Sequence, residues 1–167
     1  VNEFSDFARM PKPILSKNNL VDIIDDNINL LKELDNSITL NFKKQSDKIY
    51  LESDKEQINR VFLNLIKNSI ESINQKSENN SNFAKNITIE LTENDSQICA
   101  IIEDNGIGFE SFEKNIKDIL NPYFTTKKNG TGLGLSIVNK IINDHNGKIE
   151  FIKIDNGAKI KLEFIKQ

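Results

Sequence analysis

The stretch Asp54–Lys76, DKEQINRVFLNLIKNSIESINQK, followed by Ile87–Leu91 (ITIEL) and Ile98–Asp104 (ICAIIED), decides the fold. In the first piece Ile58, Val61, Phe62, Leu65 and Ile73 recur at helical spacing and form one apolar face of a long helix. Ser53 or Asp54 is placed to cap its start, and Glu56 sits in the first turn near the positive end of the helix dipole. In the other two pieces Ile87, Ile89 and Leu91 alternate and Ile98 to Ile102 run apolar, around a turn at Asn94-Asp95. That pattern is a hairpin whose second strand is central and ends on a carboxylate.

The rest of the chain repeats helix and hairpin. Leu20, Val21, Ile23, Ile24, Ile28, Leu30 and Leu31 predict an amphipathic helix over 18–34. Ile38–Phe42 and Lys48–Glu52, separated by the polar KKQSD, read as a β-hairpin. After a solvated, asparagine-rich loop (75–86) and the central hairpin come about twenty residues without periodicity, which read as a mobile lid. A third helix is expected over Gly132–Asp144, with Leu135, Val138, Ile141 and Ile142 facing the core and Asn146-Gly147 ending it. Lys148–Ile154 and Ala158–Ile165 flank Asp155-Asn156-Gly157, a strong hairpin turn. One helix face per element buried on one sheet makes a two-layer α/β sandwich. At the start, Phe4, Phe7 and Ala8 at helical spacing stop at Pro11 and Pro13, as a helix end and stiff linker do.

The chain has 167 residues, 28% charged and 37% hydrophobic, with net charge -3, so a single globular domain is expected. The acidic balance argues against nucleic acid as a partner. No apolar run reaches the length of a membrane span and no signal peptide opens the chain. The lone Cys99 lies in the apolar run ICAII, where it is expected to be a buried small hydrophobe; a reducing compartment fits.

Four short segments carry chemistry: Asn64–Asn68 (NLIKN), Asp104–Gly108 (DNGIG), Asn121–Lys127 (NPYFTTK) and Gly130–Leu135 (GTGLGL). Asn64 and Asn68, four apart, project from one helix face, and the amide oxygen of Asn68 suits an Mg2+ shell completed by triphosphate oxygens and water. Asp104 can accept a hydrogen bond from the exocyclic amine of adenine, where guanine would present a second acceptor. Gly106 and Gly108 allow close backbone approach to a flat base. Gly130, Thr131, Gly132, Leu133, Gly134 and Leu135 run into the third helix, whose free amides and dipole suit phosphate. Pro122, Tyr123 and Phe124 read as a lid hinge, with Thr125, Thr126 and Lys127 in reach of phosphates. Neither the Walker pattern nor the dinucleotide fingerprint is present. Singly, each segment has an ordinary structural explanation; the ordered set points to ATP.

The set resembles the N, G1, F and G2 boxes of the catalytic ATP-binding domain of sensor histidine kinases, in the Bergerat-fold superfamily with DNA gyrase, Hsp90 and MutL-type ATPases. NLIKNSIES matches the N box, DNGIGF the G1 box, PYFTTK the F box and GTGLGLSIV the G2 box. EFSDFARMP further resembles the end of the dimerisation helix and linker of nitrogen-regulation (Ntr-type) kinases. The resemblance implies a mixed, mainly antiparallel sheet covered on one face by three helices, with a flexible ATP lid at about 109–130. It divides the chain into a linker (1–13) and a catalytic ATP-binding domain (14–167). ATP and Mg2+ are the implied ligands, held by Asn64, Lys67, Asn68, Asp104, Gly106, Gly108, Phe124, Thr125, Thr126, Lys127 and Gly130–Leu135. Asn64, Asn68 and Lys127 carry the implied catalysis, and Asn68 the metal.

In the gyrase and Hsp90 branch the residue four before the Mg2+ asparagine is a glutamate that acts as general base on water. Here it is Asn64, which cannot take that proton, so the site resembles one that keeps ATP for an external nucleophile. In the family that nucleophile is a histidine of the dimerisation helix, expected upstream of Val1. His145, at a helix end in DHNGK, is expected to be structural. Glu71 stands where many sensor kinases carry a basic residue; Lys127, or secondarily Lys67, is the candidate for that charge. Implied partners are the chain's own dimerisation domain and a response regulator, in a homodimeric full-length protein that is membrane-anchored in some family members, with this domain cytoplasmic. The competing readings are a nucleotide-binding regulatory module without kinase activity and a self-sufficient Bergerat ATPase.

Overall fold

The computed structural model describes residues 10–80, 82–108 and 134–166. The expected helix end at Phe4–Ala8, the lid and the helix start at Gly132-Leu133 lie outside them. The elements run β1 (Ser16–Asn19), α1 (Leu20–Leu34), β2 (Thr39–Lys44), β3 (Tyr50–Ser53), α2 (Lys55–Ser77), β4 (Asn86–Glu93), β5 (Gln97–Asp104), α3 (Gly134–Asp144), β6 (Lys148–Ile154) and β7 (Gly157–Ile165). Five strands form one sheet in the order β2-β4-β5-β7-β6, and β1 and β3 make a separate antiparallel pair. All pairings in the large sheet are antiparallel except β2 beside β4.

Helix starts follow their caps. The Asn19 side chain accepts from Val21 N at 3.1 Å and from Ile49 N at 3.0 Å, so α1 begins at Leu20, two residues later than its apolar period predicts. Asp54 caps α2 through Gln57 N at 3.2 Å. Asn146, at φ 58°, ends α3, and Gly147 N bonds back to Ile142 O at 2.9 Å. Asn156, at φ 62°, turns β6 into β7 as expected.

The expected hairpin of 38–42 with 48–52 does not form. Both strands exist, but β2 pairs in parallel with β4, while β3 pairs with β1, which the helical period of 18–34 had concealed. The KKQSD connection has no two-residue turn to set a hairpin register. Gln45 instead extends the β2–β4 contact, through its N to Leu91 O and its Oε1 to Glu93 N.

The core lies between one sheet face and the helices. Ile87, Ile89, Leu91, Ile98, Ala100, Ile102, Ile160, Leu162 and Phe164 meet Ile24, Leu31, Phe62, Leu65, Ile137 and Ile141, all buried. The alternation that turns Ile98, Ala100 and Ile102 inward turns Cys99 and Ile101 outward. Cys99 is therefore half-buried on the open sheet face beside Thr92 and Glu163, not a core residue. Burial still raises its thiol pKa. Among the described residues no helix is long and apolar enough to cross a membrane.

Candidate functional site

Helix α2 and the loop leaving β5 form the centre of the site. The core face of α2 buries Ile58, Val61, Phe62, Leu65, Ile66 and Ile73. That rotation leaves Asn64 and Asn68 half-buried on an adjoining face, with Lys67 and Glu71 exposed. The polar row continues into residues outside the candidate set, Ser69, Ser72 and Lys76, of which Ser72 and Lys76 join α2 to the loop.

Asp104 ends the central strand and is 6% exposed. Burial raises its pKa; the Gly106 N–H, a hydrogen bond from Ser69 and the Lys76 charge pull it down, while Glu103 adds to the rise. Gly106 N donates to its Oδ1 at 2.8 Å, closing a tight turn. Ser72 Oγ accepts from Ile107 N at 2.9 Å, and Lys76 Nζ donates to Asn105 O at 2.9 Å. Asn105 Oδ1 in turn accepts from Asn86 N at 2.9 Å. Residues 69, 72 and 76 lie at helical spacing, so one stripe of α2 holds the whole loop. Extending the Asn64/Asn68 row by one turn was the available signal for it.

The glycines serve this packing. A Cβ on Gly106 would lie 2.7 Å from Ile73 N and collide with the Ser72 hydroxyl, so only glycine lets the loop rest on helix backbone. Gly108, at φ 73°, presses on the Gly157 carbonyl. Both approaches are to protein backbone. Gly134 differs: among the described residues a Cβ there would meet nothing within 4 Å. It opens α3, and neither packing nor a positive φ accounts for it. Leu135 is partly buried against the core. Phe124, Thr125, Thr126, Lys127 and Gly130–Leu133 lie outside the described residues.

His145 is structural, though not through charge on a helix end. A backbone N–H can only donate, so the Asp54 N at 3.1 Å makes Nε2 an acceptor. A carbonyl can only accept, so Ile141 O at 2.7 Å takes the Nδ1 proton. The ring is the neutral Nδ1–H tautomer, 8% exposed, tying the end of α3 to the cap of α2.

Residues 53–167 match the family described as histidine kinase-, DNA gyrase B-, and HSP90-like ATPase. An NtrY-like sensor histidine kinase sequence of Rickettsia prowazekii is 34% identical over 165 residues, covering 98% of this chain and 26% of the relative. The chain thus spans about a quarter of that curated relative's length. The catalytic domain of the histidine kinase ThkA, in a nucleotide-free form, superposes with TM-score 0.76 at 29% identity, covering 92% of this chain and 96% of the other. ThkA in complex with the response regulator protein TrrA gives TM-score 0.76 at 26% identity, covering 99% of this chain and 46% of that one. A mixed sheet under three helices, a buried carboxylate clamped to an asparagine-bearing helix, and these matches place the chain in the histidine kinase-, DNA gyrase B- and HSP90-like ATPase family, as an ATP-binding catalytic domain of the sensor histidine kinase type.

Proposed function

We propose that the chain binds Mg-ATP between α2, the Asp104–Gly108 loop and the start of α3, and donates the γ-phosphate to a histidine outside this chain. The observation that carries the reading is Asp104, a buried ionisable side chain at the head of a loop that is hydrogen-bonded to the helix presenting Asn64 and Asn68. Burying a carboxyl costs several kcal/mol unless function or pairing retains it. Its role is to accept from the adenine amine. Asn68 offers a neutral oxygen to Mg2+, which when bound offsets charge on the phosphates. The amides at the start of α3, near Gly134, are the candidate donors to phosphate. Lys127, Lys67, Phe124, Thr125, Thr126 and Gly130–Leu133 complete the candidate set.

Two chemical facts favour transfer over hydrolysis. Asn64 cannot deprotonate water. The chain's one histidine has both ring nitrogens engaged, which supports an acceptor on a separate dimerisation helix. The ThkA–TrrA complex supports a response regulator as the onward partner. A homodimer and membrane anchoring of the whole protein belong to the same proposal. Incubation with γ-labelled ATP, Mg2+ and a histidine-bearing dimerisation domain is the test. Label on that histidine is the expected result. Tight ATP binding without transfer would instead favour the regulatory module, and fast phosphate release by the chain alone the ATPase.

A further inference from the structure

The turn between β6 and β7 carries a glycine that the turn itself does not need. Asp155 and Asn156 make the reversal, and Asn156 takes the left-handed conformation, at φ 62°. Gly157 pairs with Ile154 as the first residue of β7, and among the described glycines only Gly108 has a positive φ. As far as the turn is concerned, a residue with a Cβ would suit position 157. The neighbouring chain forbids it. A Cβ on Gly157 would collide with the Asp104 carbonyl oxygen and lie 2.9 Å from its carbon and 3.0 Å from Asn105 Cα. The loop returns the contact: Gly108, at φ 73°, has no room for a Cβ against the Gly157 carbonyl. Gly106 meanwhile rests on Ser72 and Ile73 of α2. Residues 104–108 thus have two backbone seats, one on α2 and one on the β6–β7 turn, with a glycine at each point of contact. A cavity of about 190 Å³, lined by Lys76 of α2, Ile107 of the loop and Asn156 of the turn, opens between them. The loop therefore meets its seats at points, and has room to shift if one of them is displaced.

We propose that Gly157 is a positioning residue for nucleotide binding: the β6–β7 turn seats the loop after β5, and moving that seat weakens nucleotide affinity although the turn lies outside the candidate nucleotide contacts. The inference rests on the Mg-ATP reading of the cleft. Asp104 and Ala158 are partners in the register of β5 and β7, so Gly157 sits where β5 hands over to the loop. Two hydrogen bonds set the shape of the loop there, from Gly106 N to Asp104 Oδ1 at 2.8 Å and from Ile107 N to Ser72 Oγ at 2.9 Å. A methyl on Gly157 must displace either the turn or the Asp104 carbonyl, and the helix backbone at Ser72 and Ile73 leaves the loop no slack on the α2 side. The cavity is the open direction, and the Asp104 carboxyl and the amides of Gly106 and Ile107 move with the loop.

The test pairs ADP calorimetry with amide hydrogen exchange on the nucleotide-free chain, for wild type, Gly157→Ala, Asn156→Gly, Asn156→Ala and His145→Ala. Gly157→Ala is expected to bind ADP about tenfold more weakly. Exchange at Gly106 and Ile107 should quicken by more than the fall in global stability accounts for. Asn156→Gly keeps the left-handed turn and adds nothing at the seat, so it should bind ADP as wild type does. His145→Ala lowers stability away from the loop and should keep wild-type affinity in its folded molecules. Should Gly157→Ala fail to fold, Asn156→Ala decides, because alanine strains the turn without filling the seat. ADP should then weaken and the same two amides loosen; unchanged binding in that variant overturns the inference. A folded Gly157→Ala chain with wild-type ADP affinity, or with no selective change at Gly106 and Ile107, overturns it too. So does an equal loss of affinity in His145→Ala, which would trace the effect to stability alone. Wild-type chain that binds no ADP overturns the ATP reading, while selective exchange in Gly157→Ala would still support the seat.

Discussion

Replacing Gly106 by alanine tests whether the loop after β5 is held by direct contact with helix backbone. The added Cβ would sit 2.6 Å from the Ser72 carbonyl carbon and 2.7 Å from Ile73 N, and ordinary contact begins at 3.4 Å. The loop must lift by about 0.8 Å, the difference between 3.4 and 2.6 Å, because helix backbone cannot rotate aside. Overpacking of that kind costs about 1–3 kcal/mol. Lifting also stretches the Ile107–Ser72 and Lys76–Asn105 hydrogen bonds, both at 2.9 Å, each worth about 0.5–1.5 kcal/mol. A loss of about 3 kcal/mol is expected for Gly106→Ala, which for a domain of this size lowers Tm by about 6–12 °C. Urea unfolding of the nucleotide-free chain measures the first quantity and calorimetry with ADP should show binding lost as Asp104 moves. A Gly106→Ala chain within about 0.5 kcal/mol of wild type that binds ADP normally would refute the reasoning, since surface-like tolerance is incompatible with that contact.

Gly134→Ala is the counterpart: with no described residue within 4 Å of the Cβ, the nucleotide-free chain should gain about 0.5–1 kcal/mol while ATP affinity falls, because the methyl enters the proposed phosphate approach. Asp104→Asn should raise Tm at neutral pH and abolish adenine preference. The folded-state carboxyl is raised, so its stabilising contribution is present below the unfolded carboxylate range and lost as pH rises through the folded value; the gain from the substitution should vanish in acid, as thermal scans across pH will show. His145→Ala should cost about 1–3 kcal/mol in denaturant by stranding the Asp54 N–H, yet leave phosphotransfer per folded molecule intact. Asn68→Ala should weaken ADP binding in Mg2+ more than in chelator, measured side by side.

The sequence by itself determined the elements that announce their own boundaries. Periodicity and caps located α2 and α3, the Asn94-Asp95 and Asp155-Asn156-Gly157 turns located two hairpins, and the asparagine row with D-x-G-x-G marked the candidate site. These signals are local, set by spacing and by backbone conformations that few residues adopt. Strand partnership was not local. Thr39–Lys44 lies parallel to β4, with α2 in the connection between them, and Tyr50–Ser53 joins Ser16–Asn19, because strand edges are satisfied only by distant segments. The same holds for Cys99, whose apolar neighbours hid a strand with one open face. It holds for His145, whose neutrality follows from a donor ninety-one residues away in sequence. The tertiary structure also decided why Gly106 is glycine and what Ser72 and Lys76 do. Their roles exist only once the loop after β5 is laid on α2, a contact no spacing within either segment encodes.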